Sequence, residues 1–170
     1  MVGFSGEHTQ QLMRHWLDLQ KGRNVPKRSD IDPIALGGKL LPHIFLCSVS
    51  YHPFTVYYRL QGTFINDRLG QNFKGMKIGP ETFGNAAQEI SDMYQRVAVD
   101  QTPILSHEMI LSSAGTERRI EVIHLPLADE TGKTGFIVGA IDILNLVQAD
   151  ADTFIPDHWV IQNTVAPSVD

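Results

Sequence analysis

Two histidines, His107 and His124, are spaced in this chain so that they could act together. They lie in two stretches rich in strand formers, residues 104–112 and 117–126, separated by the glycine-containing turn 113–116. If those strands pair across that turn, His107 falls opposite Val122. His124 is then its diagonal neighbour on the same face, within reach of a shared ligand. Imidazoles bind metals and carry protons near neutral pH. Two ligands with no Cys, Asp or Glu beside them make a poor metal site, however, and a satisfied core pair is the simpler reading. Cys47, the single cysteine, sits among apolar residues of a strand, where a thiol is inert. Asp30 and Asp32 read as turn and cap residues. There is no Gly-x-Ser-x-Gly, no phosphate-cradling glycine loop and no His-Glu-x-x-His, and Gly135 to Gly139 is glycine spacing inside a strand. These absences argue against an enzyme.

The elements that must position these residues begin with residues 40–62. Two apolar runs, 44–49 and 54–60, flank Ser50-Tyr51-His52-Pro53 and read as a β-hairpin. In the second run Val56, Tyr58 and Leu60 alternate with polar partners, the pattern of a sheet with one dry face. Ahead of the hairpin, Leu12, Trp16 and Leu19 mark an amphipathic helix that stops at Gly22, and Asp32-Pro33 starts a short second helix. After it, Thr63 caps a short helix ending at Gly70. Asn85 then caps a longer helix striped by Ala86, Ile90, Met93, Tyr94 and Val97. Strands at 104–112, 117–126 and 136–143 form a meander. The pattern predicts an α+β domain with one antiparallel sheet. Residues 1–28 read as a leading helix and connector, 29–146 as the domain, and 147–170 as a tail.

Composition bounds the function. A chain of 170 residues has length for one core, and 42% hydrophobic with 19% charged residues is globular rather than disordered. A net charge of −5 argues against nucleic acid, whose phosphates need a basic face. No apolar run reaches a membrane span, and the first residues lack the basic start of a signal peptide. One cysteine excludes an internal disulfide and fits a reducing cytoplasm.

The order of elements resembles a PAS domain, and most closely a bacterial group of short stand-alone PAS-like proteins. The resemblance rests on Arg14-His15-Trp16, Asp30-Ile31-Asp32-Pro33, the run Leu40 to Phe45, Tyr58 to Thr63, Arg68-Leu69-Gly70 with Gly75, and Gly139 to Asp142. It covers roughly residues 8–146. It implies a five-stranded antiparallel sheet with helices on one face, an extra N-terminal helix and a small pocket. It also implies a sensor that acts by binding a small molecule or by dimerising, without room for an output domain of its own. The dry faces offer Tyr58, Leu60, Ile90, Met93, Val97, His107, Met109, Val122 and His124 as pocket residues, and a filled core would use the same side chains. Haem-binding PAS domains carry an axial histidine on the long helix, and blue-light PAS domains a cysteine in Asn-Cys-Arg-Phe. Residues 85–99 hold neither His nor Cys, and Cys47 is in a strand, which argues against both cofactors. The leading helix, through Leu12, Trp16 and Leu19, is the expected homodimer interface.

Overall fold

The computed structural model describes residues 3–145 and 154–169. Its centre is an antiparallel sheet of six strands, β1 (Ile44–Ser50), β2 (Thr55–Gln61), β3 (Ile104–Ser112), β4 (Glu117–Ala128), β5 (Thr134–Ile143) and β6 (Pro156–Val165), in the order β2-β1-β5-β4-β3-β6. Five strands match the expectation. The sixth comes from the segment read as a tail, and it pairs with β3 from Leu105↔Val165 to Ser112↔Pro156. Its sequence, PDHWVIQNTV, holds four β-branched residues and a tryptophan but no run of alternation, as befits an edge strand only partly covered on either side. The other edge, β2, is also protected. The backbone of residues 75–78 docks on it through Tyr58 N–H to the Met76 carbonyl at 3.0 Å, Gly75 N–H to the Tyr58 carbonyl at 2.8 Å and Ile78 N–H to the Val56 carbonyl at 2.9 Å.

Both faces of the sheet are covered. On one lie the helices α3 (Thr63–Leu69), α4 (Pro80–Phe83) and α5 (Ala87–Asp100), burying Phe45, Cys47, Val56, Tyr58, Ile110, Ile120 and Val122. On the other, α1 (Glu7–Gln20) and α2 (Pro33–Leu40) bury Ile44, Leu105, Ile123, Leu125 and Val138. Asp32 caps α2 as its sequence promises, its Oδ1 accepting the Ile34 N–H at 2.9 Å. The expected cap at Asn85 is replaced by a one-turn helix and a 3-10 turn, and α5 begins at Ala87.

Leu12 and Trp16 are buried within the single chain, at 0% and 2% exposure, and the Trp16 Nε1–H donates to the Pro126 carbonyl at 2.8 Å. Their burial therefore needs no second copy, while Leu19 stays half-buried. The start of α1 is fixed by two carboxylates that face each other across β4 and β5, Glu121 and Asp142. Asp142 Oδ2 accepts the N–H groups of His8 at 2.8 Å and Thr9 at 2.9 Å. Glu121 accepts Gly6 N–H at 2.8 Å, Ser5 N–H at 2.9 Å and the Thr9 hydroxyl at 2.6 Å. Anions at a helix N-terminus meet unsatisfied donors and the positive end of the dipole. A side chain on Gly6 would collide with Asp142, so only glycine brings α1 this close. Among the described residues no helix is long and apolar enough to cross a membrane.

Candidate functional site

An apolar cavity lies between the sheet and α5. Its floor is Phe45, Tyr58, Gln61, Ile120, Val122 and His124. Ile90, Met93 and Tyr94 face it from α5, and Phe73, Phe83 and Trp159 close the side. It encloses about 30 Å³, room for about two water molecules. Several rings of the wall are in contact: Phe73 and Phe83 lie 4.9 Å apart, Phe83 and Trp159 5.0 Å, and Tyr94 and His124 4.9 Å between centroids.

The polar groups in this apolar chamber are few. The Tyr58 and Tyr94 hydroxyls are 3.0 Å apart and satisfy each other. Burial pushes both phenols, and the Cys47 thiol that Tyr94 also touches, well above their ordinary values, so Cys47 is a neutral thiol. The His124 Nδ1–H donates to the Ile104 carbonyl at 3.3 Å, and burial pushes the imidazole down to about 4, so it is uncharged at neutral pH. Glu108 is the exception to the chemistry around it. Its side chain is fully buried on the cavity wall, with Oε1 accepting the Ser106 hydroxyl at 2.6 Å. Burial pushes its carboxyl up to about 7, with Glu89 adding to the rise and Ser106 and His107 opposing it.

Of the residues expected at the pocket, Tyr58, Ile90, Met93, Val122 and His124 line the cavity. Val97 is buried in the same core beside it. Leu60, His107 and Met109 do not line it, for two local reasons. In β2 the register passes from Leu46↔Leu60 to Cys47↔Tyr58, so Arg59 is an extra residue. This bulge inverts the alternation, turns Leu60 out to 45% exposure and brings Gln61 to the cavity. Between β3 and β4 the turn places Gly115 at a φ of 82°, with Gly115 N–H donating to the Ser112 carbonyl at 3.0 Å. His107 therefore pairs with Glu121 rather than Val122. A one-residue slip exchanges the two faces of a strand, so Ser106, Glu108 and Ile110 face α5 while His107 and Met109 face away.

His107 instead belongs to a polar row on the opposite face. Its Nε2 is 2.8 Å from Glu121 Oε2 and its Nδ1 2.8 Å from Asn163 Oδ1 on β6. At the other end of the row, His8 Nδ1 is 2.7 Å from Asp142 Oδ1, and the His8 and His43 rings stack at 3.5 Å with Phe64 beyond. Among the described residues His8, His43 and Asp142 form a group of potential metal ligands, their donor atoms within 4.8 Å of one another. His43 Nδ1 lies 2.9 Å from the Ile141 carbonyl, which only accepts, so that nitrogen carries its proton. Parallel rings at this spacing also do not converge in-plane lone pairs on one point. The group fits a hydrogen-bonded clamp better than a metal site.

The sequence reading missed Glu108, whose signal was an acid inside the strand ILSHEMILS, and Trp159, whose strand was not recognised. Glu121 and Asp142 were hidden because their partners are backbone N–H groups more than a hundred residues away.

The frame is thus a six-stranded antiparallel sheet with α5 laid across a small chamber. The family model described as "PAS domain" matches residues 5–142, and the chain belongs to the PAS domain family. No curated protein matches it. Solved structures of similar fold include the PAS domain from Bordetella pertussis BvgS, at 17% identity and TM-score 0.46, covering 82% of this chain and 90% of that one. VqmA bound to DPO aligns at 18% identity and TM-score 0.47, over 67% of this chain, which spans 57% of VqmA. The LOV domain of the blue-light photoreceptor Aureochrome1 aligns at 15% identity and TM-score 0.43, over 63% of this chain and 84% of that one.

Proposed function

We propose that this chain is a cytoplasmic PAS sensory module that takes a small molecule into the cavity under α5 and passes the change to a second copy or a partner protein. The observation that supports the reading best is Glu108. A carboxyl group in an aromatic chamber costs stability, because its charged form loses hydration that one hydroxyl donor does not replace. A domain that served only as a packing unit would be more stable with an apolar residue there. Perturbed acids in cavities are a mark of binding or chemistry. In this reading the dimer, where it forms through α1, uses Leu19 and the exposed face of that helix, since Leu12 and Trp16 are already covered. Haem and covalent flavin remain outside the proposal: α5 has no histidine, and Cys47 is a buried strand residue.

The small cavity volume favours a second reading, a purely structural interaction domain with a nearly filled core. Native mass spectrometry of protein purified from its host separates the two. A sensor carries a bound small molecule, lost in Val122→Phe, which fills the floor. A structural module gives the bare mass, and its melting temperature moves with no compound of a small-molecule library. The same spectra read the oligomeric state, and a single-chain mass at micromolar concentration overturns the dimer.

A further inference from the structure

We infer that the molecule this cavity takes is a small organic cation, an ammonium or N-methylated ammonium head, seated against Glu108 among the apolar and aromatic side chains of the wall. The inference rests on the sensory reading above and names the ligand class for the same site.

Four observations converge on it. Among the described residues Glu108 is the only carboxylate lining the cavity, and no described lysine or arginine lines it to neutralise that group. The one basic side chain present, His124, is neutral and has its Nδ1–H committed to the Ile104 carbonyl, so it neither pairs with Glu108 nor repels a cation. The rest of the wall is mostly apolar, and it includes the aromatic rings of Phe45, Tyr58, Phe73, Phe83, Tyr94 and Trp159. Rings attract cations through their quadrupoles, and most strongly where water is excluded. Finally, about 30 Å³ admits a small head and no more before the rings must shift. An anion would meet a like charge, and a neutral apolar molecule would leave the carboxyl without a counterpart.

The charge balance is explicit. Seating a cation on Glu108 requires the carboxylate, so in the pH range where the empty site holds a proton, binding releases it to solvent. Among the described residues, Glu89 of α5 disfavours the ionisation of Glu108 and His107 of β3 favours it, and on β4 the buried Arg118 shares a face with Ile120, which pairs with Glu108. Tyr58, Tyr94 and His124 are uncharged at neutral pH. Affinity therefore rises about tenfold per pH unit below about 7 and levels off above it.

The test is isothermal titration of the full chain at constant sodium chloride with methylammonium, trimethylammonium and tetramethylammonium chlorides, with tert-butanol as the uncharged control of similar shape. The expected result is binding of at least one ammonium and not of tert-butanol. Affinity should be at least ~10-fold tighter at about pH 8 than at about pH 5.5, and buffer-dependent heat at the lower pH should report the released proton. Glu108→Gln keeps the shape and the Ser106 contact, and should weaken ammonium binding at least ~10-fold while remaining folded by circular dichroism. Equal affinity of the glutamine variant, tert-butanol binding as tight as tetramethylammonium, or no binding of any probe overturns the assignment. A neutral or anionic molecule carried over from the host also overturns it and leaves the sensory reading standing. No probe bound together with no molecule carried over removes both.

Discussion

Replacing Glu108 with glutamine should stabilise the protein, and only on one side of neutrality. The folded-state carboxyl titrates at about 7 against an ordinary 4.5, raised chiefly by burial. The folded protein therefore keeps a proton that the unfolded chain gives up as pH rises from 4.5 to about 7. Stability declines through that window and is constant beyond it. At about 1.4 kcal/mol per unit, the full loss is roughly 3 kcal/mol. A glutamine side chain has the same shape, accepts the Ser106 hydroxyl and has nothing to ionise, so the variant escapes the loss. Urea denaturation at about pH 5 should give wild type and variant stabilities within about 1 kcal/mol of each other, and at about pH 8 the variant should lead by roughly 2–3 kcal/mol. His124 and every other titrating group are common to both proteins and cancel in the difference. A gap that is the same at both pH values, or a variant weaker at pH 8, would refute a buried carboxyl held protonated by its surroundings.

Three further outcomes follow from the geometry. His124 is held down to about 4 by burial, so its contribution is present above the ordinary 6.5 and is lost as pH falls toward 4, roughly 3 kcal/mol in all. His124→Asn should flatten that acid limb in denaturation curves taken every half unit. Trp16→Ala should cost on the order of 3–5 kcal/mol, since it empties a buried site and leaves the Pro126 carbonyl without its donor, and a shift in urea midpoint equivalent to under ~1 kcal/mol would contradict the packing of α1 on the sheet. Asp142→Ala removes the acceptor of the His8 and Thr9 N–H groups and should cost about 1–2 kcal/mol, with faster hydrogen exchange confined to the first turn of α1.

The order of elements, the hairpin and the faces of β4 and α5 were legible because each is carried by local pattern. The Val56 and Tyr58 alternation and the Ile90, Met93 and Val97 stripe point where they were expected to. What failed failed for geometric reasons. α1 and α2 dry the second face of the sheet, so Leu105, Met109 and Leu111 look like the inner row of β3 although Leu105 belongs to the other core. Only the turn decides between the rows, and the left-handed Gly115 shifts the register by one. Arg59 does the same inside β2, where no residue type announces a bulge. The sixth strand was illegible because an edge strand pairs on one side only and needs no clean alternation.

β6 has one side chain in each of two worlds. Trp159 closes the cavity, while Asn163, four residues on, bonds His107, which bonds the same Glu121 that holds the start of α1. Occupancy of the chamber and docking of the leading helix thus share a strand. Linkage is reciprocal: by whatever factor a bound molecule tightens or loosens α1, a partner that grips or frees α1 alters affinity for that molecule by the same factor. On the proposed reading, the chamber and the leading helix are the two ends of one coupling through β6.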